Sequence, residues 1–327
     1  MTMMHLLTAL WLASQGLLPS VGAQKDGCLF SPSTVQASSE DSITLVFTGD
    51  LLLDRGVRRV IEQRGEDAVF SHSIDSLFGE ARHVVANLEC PVTHIQSPVF
   101  KRFVFRGEPA WLPALRRHGI THLNLANNHS IDQGRKGLLD TRRQIEQAGM
   151  TPFGADSTLQ RAARPLLLDT VPRRIYVLPT LRMALENYAY LPEQPSVSME
   201  SIDTLLQRIS SLRQADPQCY IIVCPHWGAE HRLQPTIDQR IAAHRMVDAG
   251  ADCIIGHHTH TLQTIEAYRG KPIYYSIGNF IFDPSQPVNR QSCVVRLNVT
   301  ADDLSVETLP VTIDNCTPRL QGETRME

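Results

Sequence analysis

The sequence predicts a layered α/β fold, because short apolar runs alternate with segments of helical periodicity. The apolar runs have the length of buried strands. They lie at 43–47, 82–86, 121–125, 221–223 and 253–255. Between them, apolar residues recur at helical spacing in the segments 111–118, 137–148, 202–214 and 237–249. This alternation is typical of proteins in which helices cover β-sheets.

Glycine positions and the C-terminal third extend this interpretation. Gly119, Gly149 and Gly250 each follow a predicted helix directly, at the position where a left-handed residue commonly ends a helix. Successive strands with short turns are predicted at 264–268, 273–275, 294–297 and 306–311. Since no internal repeat or low-complexity linker interrupts the chain, residues 42–327 are predicted to form a single domain.

The N-terminus predicts export. Residues 6–18 are mostly apolar and residues 21–23 are small, so residues 1–23 are predicted to be a signal peptide. The mature protein would be periplasmic or extracellular, either free or associated with the cell envelope. An uncleaved membrane anchor is the alternative, although the apolar core is short for a span. Residues 24–41 are rich in Ser, Gln and Asp, which favours a flexible lead-in.

Charge and cysteine content narrow the function classes. A net charge of -3 provides no basic field, which disfavours nucleic acid as a partner. No CxxC pattern is present, so a zinc ribbon is not supported. Cys224 and Cys253 belong to apolar strands and are expected to be core residues. Cys28 and Cys316 lie near the two ends, where a disulfide could join them, but sequence alone does not determine the pairing.

A histidine cluster follows the last of the five strands. The apolar run 253–255 ends at Gly256, and three histidines follow within four residues. If the strand continues in extended form, His258 and His260 point to the same side. Neutral imidazoles placed in this way are common ligands of zinc, iron and manganese.

The other four strands also end at metal-ligating residue types. In chain order these are Asp50, Glu89, the group Asn128, His129 and Asp132, and His226. Each has an ordinary explanation when taken alone, such as a helix cap or an Asx-turn. Because ligands bind outside the carboxyl ends of strands in α/β sheets, five such clusters predict a common site. Mixed oxygen and nitrogen donors suit Mn, Fe or Zn at a hydrolytic centre.

Six motifs follow one another along most of the predicted domain. They are FTGD at 47–50, NLE at 87–89, ANNHSxDxG at 126–134, HWGxE at 226–230, GHHTH at 256–260 and YSIGNFIFD at 275–283. As an ordered set they resemble the CapA family of poly-γ-glutamate capsule biosynthesis proteins, which is grouped with the calcineurin-like metallophosphoesterases. The resemblance implies a four-layer αββα sandwich with a metal centre at one edge of its two sheets.

The resemblance also implies a role for each ligand-type residue. The first metal would be bound by Asp50, Glu89 and His260, and the second by Asn128, His226 and His258, with Glu89 replacing a bridging aspartate. Many members of the superfamily have Asp-x-His in the first motif, but here Leu52 takes the place of the histidine. Whether the site holds one or two ions therefore stays open.

Residues beside these ligands are similar to a catalytic group. His129 resembles the general acid that protonates a leaving oxygen, and Asp132 could orient it. Arg55 is a candidate for binding an anionic substrate group, since a guanidinium suits carboxylate and phosphate, and Arg106 is a weaker one. An ordinary surface position is the alternative for both arginines.

Two functions remain open from the sequence. The first is an exported metal-dependent hydrolase of phosphoester or γ-glutamyl bonds, acting in poly-γ-glutamate synthesis or export. The second is a non-catalytic accessory subunit that works with the membrane subunits of a polymer-synthesis machinery. The expected partner is an anionic polymer or a phosphoester substrate in the first case. The complete set of ligand-type residues argues against a third function, a degenerate binding module.

Overall fold

Two mixed β-sheets and the helices that cover them make up the computed structural model, which describes residues 42–322. The strands are β1 (Ser42–Leu51), β2 (His83–Leu88), β3 (His122–Asn124), β4 (Thr151–Phe153), β5 (Ala155–Asp156), β6 (Leu166–Asp169), β7 (Ile175–Leu181), β8 (Ser196–Val197), β9 (Tyr220–His226), β10 (Cys253–Ile255), β11 (Ile265–Tyr268), β12 (Lys271–Tyr274), β13 (Gln291–Thr300), β14 (Leu304–Asp314) and β15 (Thr317–Leu320). The α-helices are α1 (Arg55–Arg64), α2 (His72–Gly79), α3 (Leu112–Arg117), α4 (Gly134–Gln147), α5 (Leu159–Ala162), α6 (Ile202–Ala215) and α7 (Ile237–Asp248).

The strand order places several strand ends at one edge. The first sheet has the order β15-β14-β13-β1-β2-β3-β4, and its strands from β1 to β4 run parallel. The second has the order β11-β12-β10-β9-β7-β6, with β12, β10, β9 and β7 parallel. A separate antiparallel pair joins β5 and β8. Parallel neighbours deliver their carboxyl ends to the same side, so each sheet concentrates several loops there.

Buried side chains show how the two sheets pack together. Phe47 of β1 and Val295 of β13 share an apolar cluster with Ile222 of β9 and Ile255 of β10. This cluster contains residues of both sheets, so the sheets face each other across it. Val46, the neighbour of Phe47, belongs to a different cluster, as the two-residue period of a strand requires.

Helices cover the two outer faces. On the first sheet, Val46 packs in a cluster with Val57 of α1 and Leu138 of α4. On the second sheet, Ile254 of β10 packs with Leu205 of α6 and Met246 of α7. Helices, sheet, sheet and helices therefore follow one another, which confirms the predicted four-layer αββα sandwich.

Most of the elements predicted from sequence are present. The five central runs form β1, β2, β3, β9 and β10, and the four helical segments correspond to α3, α4, α6 and α7. Gly119, Gly149 and Gly250 follow their helices with φ values of 98°, 77° and 117°, as expected for left-handed helix ends. The five strands are divided between the two sheets, three in the first and two in the second.

Several predictions concern residues outside this range. The signal peptide at 1–23, the lead-in at 24–41 and Cys28 all lie outside residues 42–322. The six cysteines within the described range are buried and form no disulfide with one another. Within the same range, no helix has both the length and the apolar character that a membrane span requires. Export and the single-domain boundary stay predictions.

His122 of β3 is a buried histidine at the far end of the strand from the polar cluster. Its Nδ1 lies 2.8 Å from Oγ1 of Thr121, and its ring stands edge-on to that of His83 with centroids 5.2 Å apart. Burial, with a smaller contribution from the charge of His83, lowers the pKa of His122 from 6.5 to about 4. The folded protein therefore keeps this ring neutral under mildly acidic conditions.

We expect acidification to destabilise the protein partly through His122. The unfolded chain binds a proton here near pH 6.5 and the folded chain only near pH 4, so the free energy of unfolding falls as the pH drops through that window. At pH 4 the contribution is about 3 kcal/mol. Urea unfolding at several pH values should show a smaller acid-side loss in His122→Gln than in wild type. The control His94→Gln, at an exposed position, should keep the wild-type slope. Equal slopes in His122→Gln and wild type would contradict this assignment.

Candidate metal centre

Four strands from the two sheets end at a common edge. β1 and β2 belong to the first sheet, and β9 and β10 to the second. Nε2 of His257, just after β10, lies 3.1 Å from the backbone carbonyl oxygen of Thr48 in β1. This contact joins the two sheets at the point where their polar clusters begin.

Two glycines allow the chain to approach closely at this edge. A Cβ on Gly49 would lie 2.1 Å from the carbonyl oxygen of Gly278, and a Cβ on Gly256 would lie 2.1 Å from that of Tyr275. Both distances are far shorter than real carbon–oxygen contacts, so only glycine fits at either position. The segment 275–283, the last of the sequence motifs, thereby packs directly against the ends of β1 and β10.

Asp50 is a fully buried carboxylate held by neighbours from both sheets. Its Oδ1 accepts a hydrogen bond from Nδ2 of Asn87 at 2.8 Å, and its Oδ2 lies 3.3 Å from Nδ1 of His260. Burial alone would raise the pKa of Asp50, but the bond to His260 and the charges of nearby histidines outweigh it and lower the pKa. Asp50 is therefore ionised and ready to bind a cation.

A pair of asparagines supports this carboxylate. Nδ2 of Asn127 donates to Oδ1 of Asn87 at 3.2 Å and to the carbonyl oxygen of Leu88 at 2.8 Å. Oδ1 of Asn127 accepts from the backbone N–H of His129 at 3.1 Å. These bonds fix the loop after β3 against the end of β2, a function of the two asparagines that no pattern in the sequence predicts.

Glu89 is the least satisfied polar group at this edge. Its side chain is buried, and neither carboxylate oxygen has a hydrogen-bond partner among residues 42–322. Oε1 lies 3.8 Å from Nε2 of His226 and 3.8 Å from Nε2 of His260. Burial, followed by the negative charges of Asp50 and Glu230, raises the pKa of Glu89 well above its ordinary value. A carboxylate in this position calls for a cation.

Two overlapping groups of side chains could hold such a cation. One consists of Glu89, His226 and His258, the other of Asp50, Glu89 and His260, and within each group the ligand atoms lie within 4.8 Å of one another. Glu89 belongs to both. The structure thus brings these residues together in the grouping that the resemblance implies, and their carboxylate oxygens and ring nitrogens fit a divalent ion.

Further atoms that could bind a metal lie at the first of these groups. Oδ1 of Asn128 lies 2.7 Å from Nε2 of His226, and the buried Nδ1 of His258 has no hydrogen-bond partner in the described part of the chain. Burial and the charge of His258 lower the pKa of His226 well below its usual value. Burial and the charge of His260 lower the pKa of His258 to about 4. Both rings are therefore neutral, which is the form that binds metals.

The geometry of the His-x-His segment differs from the prediction. The sequence predicts His258 and His260 on one side of an extended strand, but β10 ends at Ile255 and both histidines have positive φ values, 94° and 57°. The segment turns, and its two rings, with centroids 6.2 Å apart, join different ligand groups. Both histidines still reach the site because the turn replaces the alternation of a strand.

His129 and Asp132 form a buried pair beside these groups. Nδ1 of His129 lies 2.8 Å from Oδ2 of Asp132, and the same oxygen accepts from the backbone N–H of Phe105 at 2.7 Å. Burial lowers the pKa of His129, against the opposing effect of Asp132. Since Asp132 occupies Nδ1, Nε2 is the ring nitrogen that is left for a substrate.

Lys101 is a site residue that no pattern in the sequence predicts. Its Nζ lies 2.5 Å from Oδ1 of Asp132 and donates to the carbonyl oxygen of Asn128 at 2.9 Å, while its side chain is 5% exposed. One ammonium group thus holds both the candidate ligand loop and the partner of His129. No motif marks this lysine in the sequence, because it comes from a separate loop and reaches the site only in the folded chain.

A cavity of about 280 Å³ opens beside the two ligand groups. Its lining includes His260, which belongs to one of the two ligand groups, and His129, the candidate general acid. The other lining residues are Arg55, Phe103, Phe105, Glu230, His231, Asn279, Phe282, Pro284, Ser285 and Asn289. A small substrate group placed here would lie between the ligand groups and His129.

The two arginines predicted to bind substrate lie in different places. Arg55 lines the cavity, where its guanidinium pairs with Asp283 at 2.8 Å and lies 5.6 Å from the ring centres of Phe105 and Phe282. Arg106 is not among the lining residues. Its guanidinium donates to the carbonyl oxygen of Thr93 at 2.8 Å and pairs with Glu108, so the structure does not bring it to the site.

Comparison with known proteins places the chain in a family. The family "Bacterial capsule synthesis protein PGA_cap" matches residues 44–284. The PGA biosynthesis protein CapA of Bacillus subtilis is 31% identical over 87% of this chain and 75% of its own length. The capsule biosynthesis protein CapA of Bacillus anthracis is 29% identical over 87% of this chain and 71% of its own. A probable polyglutamine synthesis accessory protein of Mycobacterium tuberculosis is 27% identical over 76% of each chain. The CapA resemblance is thereby confirmed, and the chain belongs to the bacterial capsule synthesis protein PGA_cap family.

Proposed function

We propose that this protein is an exported, metal-dependent hydrolase of phosphoester or γ-glutamyl bonds that acts in poly-γ-glutamate synthesis or export. The observation that carries the proposal is the buried carboxylate of Glu89, which has no hydrogen-bond partner in the described part of the chain and belongs to both ligand groups beside the cavity. Family membership supports the link to the polymer. The apolar N-terminal segment at 6–18 supports export.

The ligand set favours Mn, Fe or Zn, as one ion or two. The residues that would hold the ions are Asp50, Glu89, Asn128, His226, His258 and His260. A divalent ion at such a site supplies Lewis-acid chemistry, which activates water and neutralises negative charge that develops on the reacting group. Oxygen and imidazole donors in this mixture suit all three metals.

His129 would supply the proton for the leaving group. Asp132 accepts a hydrogen bond from Nδ1–H, fixes the orientation of the ring and favours its imidazolium form, whose proton on Nε2 can pass to the departing oxygen of a phosphoester or the departing nitrogen of an amide. Lys101 holds Asp132 from the other side and prevents that carboxylate from turning away. In these roles His129 is the catalytic residue, whereas Asp132 and Lys101 are positioning residues.

A non-catalytic accessory function is the second candidate. It is favoured by the Mycobacterium tuberculosis relative, which is named as a probable accessory protein of polyglutamine synthesis. In that case the same ligand groups would organise the fold or bind carboxylates of the polymer through an ion. The partners would be the membrane subunits of a polymer-synthesis machinery.

The metal assignment can be tested at Glu89. Glu89→Gln removes a buried carboxyl group whose ionised form has no hydrogen-bond partner among residues 42–322, so we expect the metal-free variant to be at least as stable as metal-free wild type. The variant should also lose the rise in Tm that Mn, Fe or Zn causes in wild type, because metal affinity falls by about 100-fold or more. Calorimetry of chelated and metal-loaded samples, with elemental analysis, measures both effects. Glu62→Gln, at an exposed site on α1, should behave as wild type. Full metal-induced stabilisation of Glu89→Gln would contradict the metal assignment.

The general-acid role can be tested at His129. His129→Ala should lower turnover on the order of 100-fold or more while metal content stays unchanged, because the variant loses the proton donor and no predicted ligand. Turnover is measured on a generic phosphodiester and on poly-γ-glutamate, each with and without chelator. His94→Ala, at an exposed histidine, provides the matched control. Wild-type turnover in His129→Ala would remove the general-acid role.

A substitution at Asp50 separates the two candidate functions. If the protein is a hydrolase, wild type cleaves one of the two substrates in a chelator-sensitive way, and Asp50→Ala reduces that rate on the order of 100-fold or more. Asp67→Ala, which removes an exposed carboxylate paired with Arg117, should retain the rate. If wild type shows no hydrolysis and Asp50→Ala still abolishes polymer production in the host, the accessory function is correct and the hydrolase proposal is wrong.

A further inference from the structure

A second cavity adjoins the one beside the ligand groups. Its volume is about 470 Å³, and Arg55, Pro284 and Ser285 line both cavities. Arg55 lies at the junction, since its guanidinium contacts the rings of Phe105 and Phe282 on one side and pairs with Asp283 on the other. The two cavities thus lie side by side around Arg55, and we refer to the pair as the groove.

The second cavity is positively charged. Three arginines, Arg55, Arg59 and Arg290, contribute to its lining, and Asp283 is the one carboxylate among the lining residues. Asp283 is already paired with Arg55 at 2.8 Å. Arg59 and Arg290 are exposed and have no ion-pair partner among residues 42–322. The groove therefore presents two free guanidinium groups in a protein whose net charge is -3.

The other lining residues favour carboxylates over nucleic acid. Gln63 and Asn315 add amide groups that can donate hydrogen bonds, and the lining of the second cavity contains no aromatic side chain. Single-stranded nucleic acid is commonly bound by stacking its bases on aromatic rings, which this surface lacks. Guanidinium groups bind carboxylates through paired N–H donors, so free arginines suit a chain that carries many carboxylates.

We propose that the second cavity is a subsite for the carboxylates of a polyanionic chain, with Arg59 and Arg290 binding units next to the one that occupies the first cavity. The direction of the groove rests on the proposed function, because it takes the candidate metal centre as the place where the polymer reacts. Binding of polymer at the arginines does not depend on hydrolysis, so the two proposals can fail separately.

The test uses the full-length, metal-loaded protein and labelled poly-γ-glutamate. The double variant Arg59→Gln, Arg290→Gln removes both free guanidinium groups. We expect its affinity for the polymer to fall about 10-fold and the salt dependence of binding to become weaker. The control Arg64→Gln, Arg116→Gln makes the same change in net charge at exposed arginines that line neither cavity. Its affinity should stay within about 2-fold of wild type. Fluorescence anisotropy at several salt concentrations provides the measurement.

Competing polyanions and the turnover assay decide the remaining outcomes. Equal losses in the two double variants would show general attraction and overturn the subsite. Displacement of poly-γ-glutamate by polyphosphate or single-stranded DNA at equal charge concentration would overturn the choice of carboxylate. Arginine-dependent binding without any turnover would support the subsite and contradict the hydrolase. If the protein hydrolyses a substrate and its affinity for the polymer does not change in the Arg59→Gln, Arg290→Gln variant, the hydrolase proposal is supported and the subsite is contradicted.

Discussion

The carboxylate of Glu89 is the constraint on which the site depends. A charged group that is buried without hydrogen bonds costs several kcal/mol, so the fold keeps it only where a cation or a proton offsets the cost. The alternation of β2 puts it there: Val84, Ala86 and Leu88 pack into the outer core, which turns Asn87 and Glu89 the other way. The imidazoles that approach it come from the second sheet. A site of this kind therefore forms only when both sheets have packed.

The sequence predicted the parts of this arrangement that leave a local signal. An apolar run that ends in Asp50, Glu89 or His226 shows both the buried strand and the polar residue that the strand delivers to the sheet edge. The apolar-to-polar change along a strand is short-range, so spacing alone was sufficient to find it. The four-layer arrangement came from the family resemblance, since no spacing rule states which strands share a sheet. The five strands look equivalent in the sequence, but three of them belong to the first sheet and two to the second.

What the sequence did not predict depends on the folded chain. Lys101 belongs to a loop without a motif, and its pairing with Asp132 joins segments that meet only in three dimensions. The turn at His258 replaces an expected extended strand because two positive φ values redirect the chain. Helix α1 differs, because its buried Val57, Val60 and Ile61 recur at helical spacing after the N-cap Asp54, a local signal that the charged residues between them obscure. For Lys101 and the turn at His258, tertiary contacts outweigh the local pattern.

Arg55 shows how a protein of negative net charge can accept an anion beside a carboxylate-rich centre. Its guanidinium is neutralised by Asp283, and that carboxylate also accepts from the backbone N–H of Gly56 at 3.0 Å, so the junction of the two cavities carries little net charge. Free positive charge begins only beyond it, at Arg59 and Arg290. An anionic chain is then attracted to the outer part of the groove, and its reacting unit is presented to the inner part. There the carboxylates of Asp50 and Glu89 would repel the anion unless a bound cation neutralised them. Because the outer arginines act at the surface and the inner carboxylates are buried, salt should weaken the first interaction far more than the second.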